Sequence, residues 1–162
     1  GLAVTAGDVA PEALRETRRW LAQEHLQAQL VRLDMTALPF PSGSFDAILS
    51  VNVLHHARPK EAMTAVREVW RVLRPGGVFL AVLSGAGDCH CLMERPASAA
   101  WRSPGHRLAA LSRPRLYDEG ELWSLFAGFR ILASHRRNIN PALVTGPPDG
   151  QRVSWRIGAE RP

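Results

Sequence analysis

Two stretches constrain what this chain can fold into more than any others. Residues 34–56 read Asp-Met-Thr-Ala-Leu-Pro-Phe-Pro-Ser-Gly-Ser-Phe-Asp-Ala-Ile-Leu-Ser-Val-Asn-Val-Leu-His-His, and residues 68–77 read Glu-Val-Trp-Arg-Val-Leu-Arg-Pro-Gly-Gly. Asp34 closes a short strand over Leu30 to Leu33, and Pro39, Pro41, Ser42 and Gly43 make a turn. Phe45 to Val51 is then a nearly continuous apolar run, as expected of a parallel strand covered on both faces. Pro59 opens a helix with Met63, Val66, Val69, Trp70 and Leu73 on one face. Pro75-Gly76-Gly77 stops that helix, and Val78 to Leu83 reads as the next strand.

The flanking segments continue this alternation. Leu2 to Thr5 suits a buried strand, with Ala6-Gly7-Asp8 as a turn. Pro11 starts a helix whose Ala13, Leu14, Thr17 and Leu21 recur at helical spacing through about Ala28. Helix and strand in turn argue for an α/β fold, a parallel sheet with crossover helices. Residues 84–116 are irregular, and a loop that long in a compact domain is usually functional or disordered. Asp118 and Glu121 form a capping box, with Tyr117 placed to staple onto Leu122. The helix carries Leu122, Leu125 and Phe126, and ends at Gly128. Phe129 to Ser134 and Val153 to Ile157 read as a closing antiparallel pair, with residues 138–151 as a loop.

A length of 162 residues suits one domain, spanning 1–162, in which 84–116 is an irregular loop and 117–162 holds the last helix and strands. No apolar run is long enough to cross a bilayer. Two cysteines give no disulfide framework, and a cytoplasmic setting is expected. The net charge of +5 comes almost wholly from arginine, since Lys60 is the sole lysine. Such a balance suits either an anionic partner, RNA included, or a solvated basic surface. The even spread of the arginines favours the second.

Several residues carry candidate chemistry. Asp8 follows a strand and precedes a helix, where an acid in a doubly wound fold can accept both hydroxyl protons of a nucleotide ribose. It equally suits a helix N-cap. Asp34 is either a second ligand anchor or an acid bonded to its own turn. Asn52 and Val53 lie just past a strand's carboxyl end, where ligands of open α/β sheets bind. His55 and His56 could orient a substrate or take a proton. Glu68 and Arg71 read as helix-surface residues. Gly85-Ala86-Gly87 is a partial glycine motif with His90 where a third glycine would stand. Cys89-His90-Cys91 is too tightly spaced for a zinc pair and has no second pair, so no metal is expected. Trp101, Arg102, His106, Arg107, Arg113 and Arg115 could bind a planar or anionic substrate, or belong to a mobile basic loop.

The Leu-Pro-Phe, Leu-His-His and Arg-Pro-Gly-Gly segments, in this order, resemble class I S-adenosylmethionine-dependent methyltransferases of the small-molecule and tRNA-modifying branch. The resemblance runs from Asp8 to the closing Trp155-Arg156-Ile157 strand. It implies a Rossmann-like methyltransferase sheet with crossover helices and a C-terminal antiparallel pair, lacking its first strand. It also implies S-adenosyl-L-methionine as cofactor. Asp8 and Val9 would hold the ribose, Asp34 and Met35 the adenine, and Asn52 and Val53 the methionine side. Ala10 stands where the family usually has Ser. No catalytic residue is implied: in the resemblance, Leu-His-His recurs across different substrates and looks structural or cofactor-related, and the 84–116 loop would lie on the substrate side. The substrate's nucleophile attacks the methyl in line, so positioning supplies most of the catalysis. The acceptor, a small molecule or RNA, its nucleophilic atom and the oligomeric state stay open.

The chain begins at Gly1 and contains no Gly-x-Gly-x-Gly loop ahead of Asp8. The family's sheet order is 3-2-1-4-5-7-6, and the missing strand is the central one. A truncated chain of this kind is expected to be marginally stable alone and to bind cofactor poorly. Two rival readings remain: a non-catalytic remnant serving as a binding module, and an RNA-binding protein.

Overall fold

The structure is a computed structural model that describes residues 1–85, 115–139 and 152–162. The sequence-predicted features at Cys89-His90-Cys91, at Trp101 to Arg113 and in the 140–151 loop lie outside the described residues. The chain divides into two compact units, residues 1–39 and 40–162.

In the first unit, β1 (Thr5–Asp8) leads to α1 (Pro11–Gln23) and then to β2 (Gln29–Arg32). The two strands pair in parallel, Thr5 opposite Gln29 and Asp8 opposite Arg32. The strand falls on 5–8 rather than 2–5, because Leu2 is fully exposed and nothing packs on it. Pro11 sits in the first helical turn, and α1 ends at Gln23 instead of running to Ala28. The break comes at His25, whose φ of 54° is left-handed. Ala13, Leu14, Thr17 and Leu21 are half-buried, as their spacing predicts, but no side chain of α1 is fully buried. So small a unit buries too little apolar surface to stand alone.

The second unit holds β3 (Phe45–Val51), a 3₁₀ turn (Leu54–His56), α2 (Pro59–Val72), β4 (Leu73–Ser84), α3 (Glu119–Leu125), β5 (Arg130–Ile139) and β6 (Arg152–Glu160). Its sheet order is β3-β4-β6-β5. β3 and β4 are parallel, joined across α2, and β6 runs antiparallel to both β4 and β5. In the expected 3-2-1-4-5-7-6 order, β1 and β2 correspond to 2 and 3, and β3-β4-β6-β5 to 4-5-7-6. Each sheet separately reproduces its part of that order. Strand 1 has no counterpart among the described residues.

One face of the larger sheet carries the core. Phe79, Ala81, Leu83, Trp155, Ile157 and Ala159 are buried there, beneath Ala62, Ala65, Val66, Val69 and Val72 of α2 and Leu122 and Leu125 of α3. Phe79 stacks on Phe126 at 5.6 Å between ring centroids, and Phe129 closes the cluster at 5.8 Å. Met63 and Trp70, expected on the apolar face of α2, are instead largely exposed. The Asp118–Glu121 capping box forms as its spacing predicts.

The opposite face corrects the expectation that the Phe45–Val51 strand is covered on both sides. Leu49, Val51 and Leu80 are 67%, 48% and 47% exposed. Leu49 stands opposite Leu80 in the β3–β4 register, and Val51 opposite Val82. No described element of the second unit lies over them, so an apolar patch borders the unpaired edge of β3.

The Arg-Pro-Gly-Gly segment does not terminate the helix as a separate turn. α2 stops at Val72, and Leu73 already pairs with Phe45. The Pro-Gly-Gly residues are absorbed into β4 beside a register shift between Phe45 and Ala47. Gly76 takes a φ of +77° there. At Gly77 a Cβ would meet the carbonyl oxygen of Arg74 at 2.8 Å, so both glycines are needed for this irregularity. Arg161 locks the same corner. Its Nη1 donates to the carbonyls of Trp70 at 3.0 Å, Arg71 at 3.2 Å and Leu73, and its guanidinium lies 3.8 Å from the Trp70 ring. A cation on orphan helix-end carbonyls is favourable twice over, as donor and as charge. Arg161→Ala should cost about 1–3 kcal/mol, and Arg161→Lys should recover only part of it, because the planar fork is lost. Urea unfolding of the two variants checks this.

Candidate functional site

Both units present their candidate residues at the carboxyl ends of parallel strands. In the first, Asp8 is the last residue of β1, and its carbonyl accepts from the Leu33 N–H at 3.1 Å. Asp34, two residues past β2, therefore lies at the same end of the pair as Asp8. Asp8 is half-buried, and its Oδ1 accepts the Ala10 N–H at 2.8 Å. Ala10, the residue at the α1 cap position, has no side-chain cap of its own. One carboxylate oxygen thus shapes the start of the helix. The other has no partner among the described residues and keeps its acceptor capacity. The adjoining Val9 is exposed, and its carbonyl accepts from Arg32 Nε at 3.2 Å.

Asp34 is exposed and organises its own turn. Its Oδ1 accepts from the Thr36 hydroxyl at 2.7 Å and the Thr36 N–H at 2.8 Å. These two bonds, the hydroxyl first, hold its carboxyl below the usual value. The turn closes with the Ala37 N–H on the Asp34 carbonyl at 3.1 Å, leaving Met35 half-buried. Thr36 was missed in the sequence, although Asp-x-Thr is a recognisable side-chain-bonded turn.

In the second unit, Asn52 follows β3 with φ at 56°, left-handed without being glycine. Its N–H extends the ladder to the Val82 carbonyl at 3.0 Å. Asparagine tolerates this conformation better than most residues, and such outliers gather at functional sites. Asn52 and Val53 are both exposed. Behind them His55 is only 5% exposed. Its Nδ1 accepts the Ser84 N–H at 3.3 Å, and its carbonyl accepts the Arg115 N–H at 2.7 Å. Burial, and then the neighbouring His56, push its pKa down to about 4. Burial lowers His56 as well. His55 is thus a neutral acceptor at ordinary pH, which fits the structural reading of that histidine. The buried Tyr117 donates through its hydroxyl to the Leu54 carbonyl at 3.4 Å. Ser84 was not singled out in the sequence, and Tyr117 was only as a staple onto Leu122; no local signal marks either for this junction.

Gly85 has a packing role. A Cβ there would meet Val153 at 2.8 Å and the Trp155 indole nitrogen at 2.9 Å. That close approach explains a glycine after β4 without any phosphate cradle. Glu68 and Arg71 do more than decorate a helix surface. They form a two-point ion pair at 2.8 Å, and Arg71 Nη1 also donates to the Phe40 carbonyl at 2.7 Å. Among the described residues no group of three or more His, Cys, Asp or Glu side chains could hold a metal ion, and no helix is long and apolar enough to cross a membrane.

Comparison with known proteins names the class that this order of strands and acids defines. The Methyltransferase domain family matches residues 1–81. This chain belongs to that family, the class I S-adenosylmethionine-dependent methyltransferases. A malonyl-[acyl-carrier protein] O-methyltransferase of Enterobacter lignolyticus is 38% identical over 103 residues, 64% of this chain and 37% of that protein. An uncharacterized chloroplastic methyltransferase of Arabidopsis thaliana is 54% identical over 52 residues, 32% of this chain and 14% of its own length. The chain therefore spans well under half of either relative. A SAM-dependent methyltransferase of Methanosarcina mazei shares the fold, with a TM-score of 0.74 at 23% identity over 98% of this chain and 82% of that one. The family and fold imply S-adenosyl-L-methionine as cofactor. The described acceptors suit its adenosine part: a carboxylate with a spare acceptor oxygen at Asp8, and a fixed acidic turn at Asp34. There is no pyrophosphate to neutralise.

Proposed function

We propose that this chain is part of a methyltransferase that moves the methyl group of S-adenosyl-L-methionine onto a small-molecule or tRNA acceptor. The observation that carries the reading is the pair of separate parallel ladders, each ending at its carboxyl end in the residues expected to meet cofactor. Asp8 and Val9 take the ribose, and Asp34 and Met35 the adenine. Asn52 and Val53 take the methionine side. Bound there, the cofactor supplies an already activated sulfonium methyl. This chain's residues need only bind, orient and exclude water. A cytoplasmic setting belongs to the same reading.

The reading includes a strand, glycine loop and helix from outside this chain, of roughly thirty residues. Support comes from the unpaired edge of β3, the bare Leu49, Val51 and Leu80 beside it, and the absence of fully buried side chains along α1. The test is affinity for S-adenosylhomocysteine in a protein extended with its upstream residues. Asp8→Ala should weaken binding by roughly a hundredfold, the loss of about two charge-assisted hydrogen bonds. Asp8→Asn should retain part of it. Unchanged affinity in Asp8→Ala would remove Asp8 from the site.

A further inference from the structure

We propose that His55 is a positioning residue: its two acceptors, Nδ1 and the backbone carbonyl, clamp the end of β4 and the Arg115–Tyr117 segment to the turn that bears Asn52 and Val53. This rests on the cofactor reading of Asn52 and Val53 but makes a structural claim that stands apart from it.

Ser84 ends β4, and Arg115 lies thirty-one positions further along the chain. Both meet at one residue, since Ser84 N–H reaches His55 Nδ1 at 3.3 Å and Arg115 N–H reaches the His55 carbonyl at 2.7 Å. Around this point the Tyr117 N–H bonds the Ser84 carbonyl at 3.1 Å, and the Gly85 N–H bonds the Val153 carbonyl at 2.8 Å. The Trp155 indole donates to the Tyr117 carbonyl at 3.3 Å. β4, β6 and the Arg115–Tyr117 segment thus converge behind the exposed Asn52–Val53 pair. His55 supplies the only side chain in this junction that accepts from both the strand end and, through its backbone, the returning segment, among the described residues.

The chemistry selects histidine. A buried backbone N–H needs an acceptor, and leaving it unmade costs more than the bond returns. An imidazole with Nδ1 free and its proton on Nε2 provides that acceptor in a flat, largely apolar ring. The His56 ring lies 4.4 Å away between centroids, the Tyr117 phenol donates to the adjoining Leu54 carbonyl, and Arg115, whose backbone N–H meets the His55 carbonyl, has its guanidinium paired to Glu121. None offers the ring a carboxylate that would favour a second proton. Leu or Phe would fill the space without accepting, whereas Asn places a carbonyl oxygen near the Nδ1 position.

The experiment compares His55→Leu and His55→Asn in the upstream-extended protein by amide hydrogen exchange and S-adenosylhomocysteine affinity, with the side-chain ¹⁵N spectrum of the unmutated chain as a variant-free measurement. The expected spectrum shows Nδ1 unprotonated and Nε2 protonated at neutral pH. His55→Leu should speed exchange at Ser84 by about tenfold or more and weaken affinity by a similar factor, and His55→Asn should restore both within a few-fold. Equal impairment in the two variants, unchanged exchange at Ser84 in His55→Leu, or a proton on Nδ1 in the spectrum would each overturn the proposal. If exchange follows the expected pattern but no form binds S-adenosylhomocysteine, the clamp stands and the cofactor reading is what has failed.

Discussion

Replacing Phe79 with Ala should destabilise the second unit by about 3–5 kcal/mol, the usual range for emptying an aromatic site in a core. The residue is fully buried at the centre of β4. Its ring stacks on Phe126 at an interplanar angle of 24° and meets Phe129 at 42°. Phe126 and Phe129 both follow the end of α3 at Leu125, so the cavity would sit where the last helix docks on the sheet. The loss would combine the transfer term, the void and about 1 kcal/mol of ring-pair geometry. Folded domains have only about 5–15 kcal/mol in hand. A sheet with one bare face should lie at the low end, so Phe79→Ala is expected to leave the second unit largely unfolded at 37 °C. Phe79→Leu should cost less than half as much. Urea unfolding followed by tryptophan fluorescence reads both, since Trp155 is buried in the same core. A Phe79→Ala protein within 1 kcal/mol of the parent would mean that β4 is not the centre of this core.

The second large effect is on acid stability. The His55 pKa falls from 6.5 to about 4 in the folded chain, by burial first and His56 second. Between those values the unfolded chain takes up a proton that the folded chain refuses. Stability from this group is therefore complete above about 6.5 and is lost progressively as pH falls towards 4. The full window amounts to about 2–3 kcal/mol. Asp34 contributes in a lower window: its depressed carboxyl stabilises the fold above its ordinary 3.8 and loses that contribution as pH falls further. The two are separable, so urea midpoints between pH 6.5 and 4.5 should slope steeply in the parent and less steeply in His55→Asn, where the buried His56 leaves a residual slope. An equal slope in the variant would assign the effect to other groups.

Much of the fold was legible because local chemistry and tertiary context agree. The Phe45–Val51 apolar run has the observed strand limits, and Asp118 with Glu121 makes the predicted cap. Where the two diverge, a long-range contact decides. Pro75-Gly76-Gly77 looks like punctuation, but pairing of Leu73 with Phe45 pulls it into β4 as an irregular segment. His135-Arg136-Arg137 looks too polar for a strand, yet the long pairing with β6 carries β5 on to Ile139. There the exposed edge tolerates charge. The candidate acids were visible by type and place, and so was the local chemistry open to them: Asp8 bonds the Ala10 N–H at the start of α1, and Asp34 bonds its own turn through Thr36. The role of His55 was hidden. Its partner, Ser84, lies twenty-nine residues away, and no periodicity links them.

The bare apolar strip along β3 and β4 ties stability to function. Leu49, Val51 and Leu80 are side chains of a strand pair that reads as doubly covered, and exposing them is costly in water. A strand added to the β3 edge would satisfy its free backbone groups, and the helix following that strand would cover the strip. The glycine turn between them would bring the backbone close to the cofactor, beside Asn52 and Val53. On this account, stability and cofactor binding rise together.

Calorimetric titration of S-adenosylhomocysteine into the 162-residue chain, and into the same chain extended through the upstream strand, loop and helix, tests that account most directly. The expected result is little or no binding by the shorter chain, tight binding by the extended one, and a parallel rise in its unfolding temperature. Two well-folded proteins that both fail to bind would contradict it, and would make this chain a methyltransferase-like binding module.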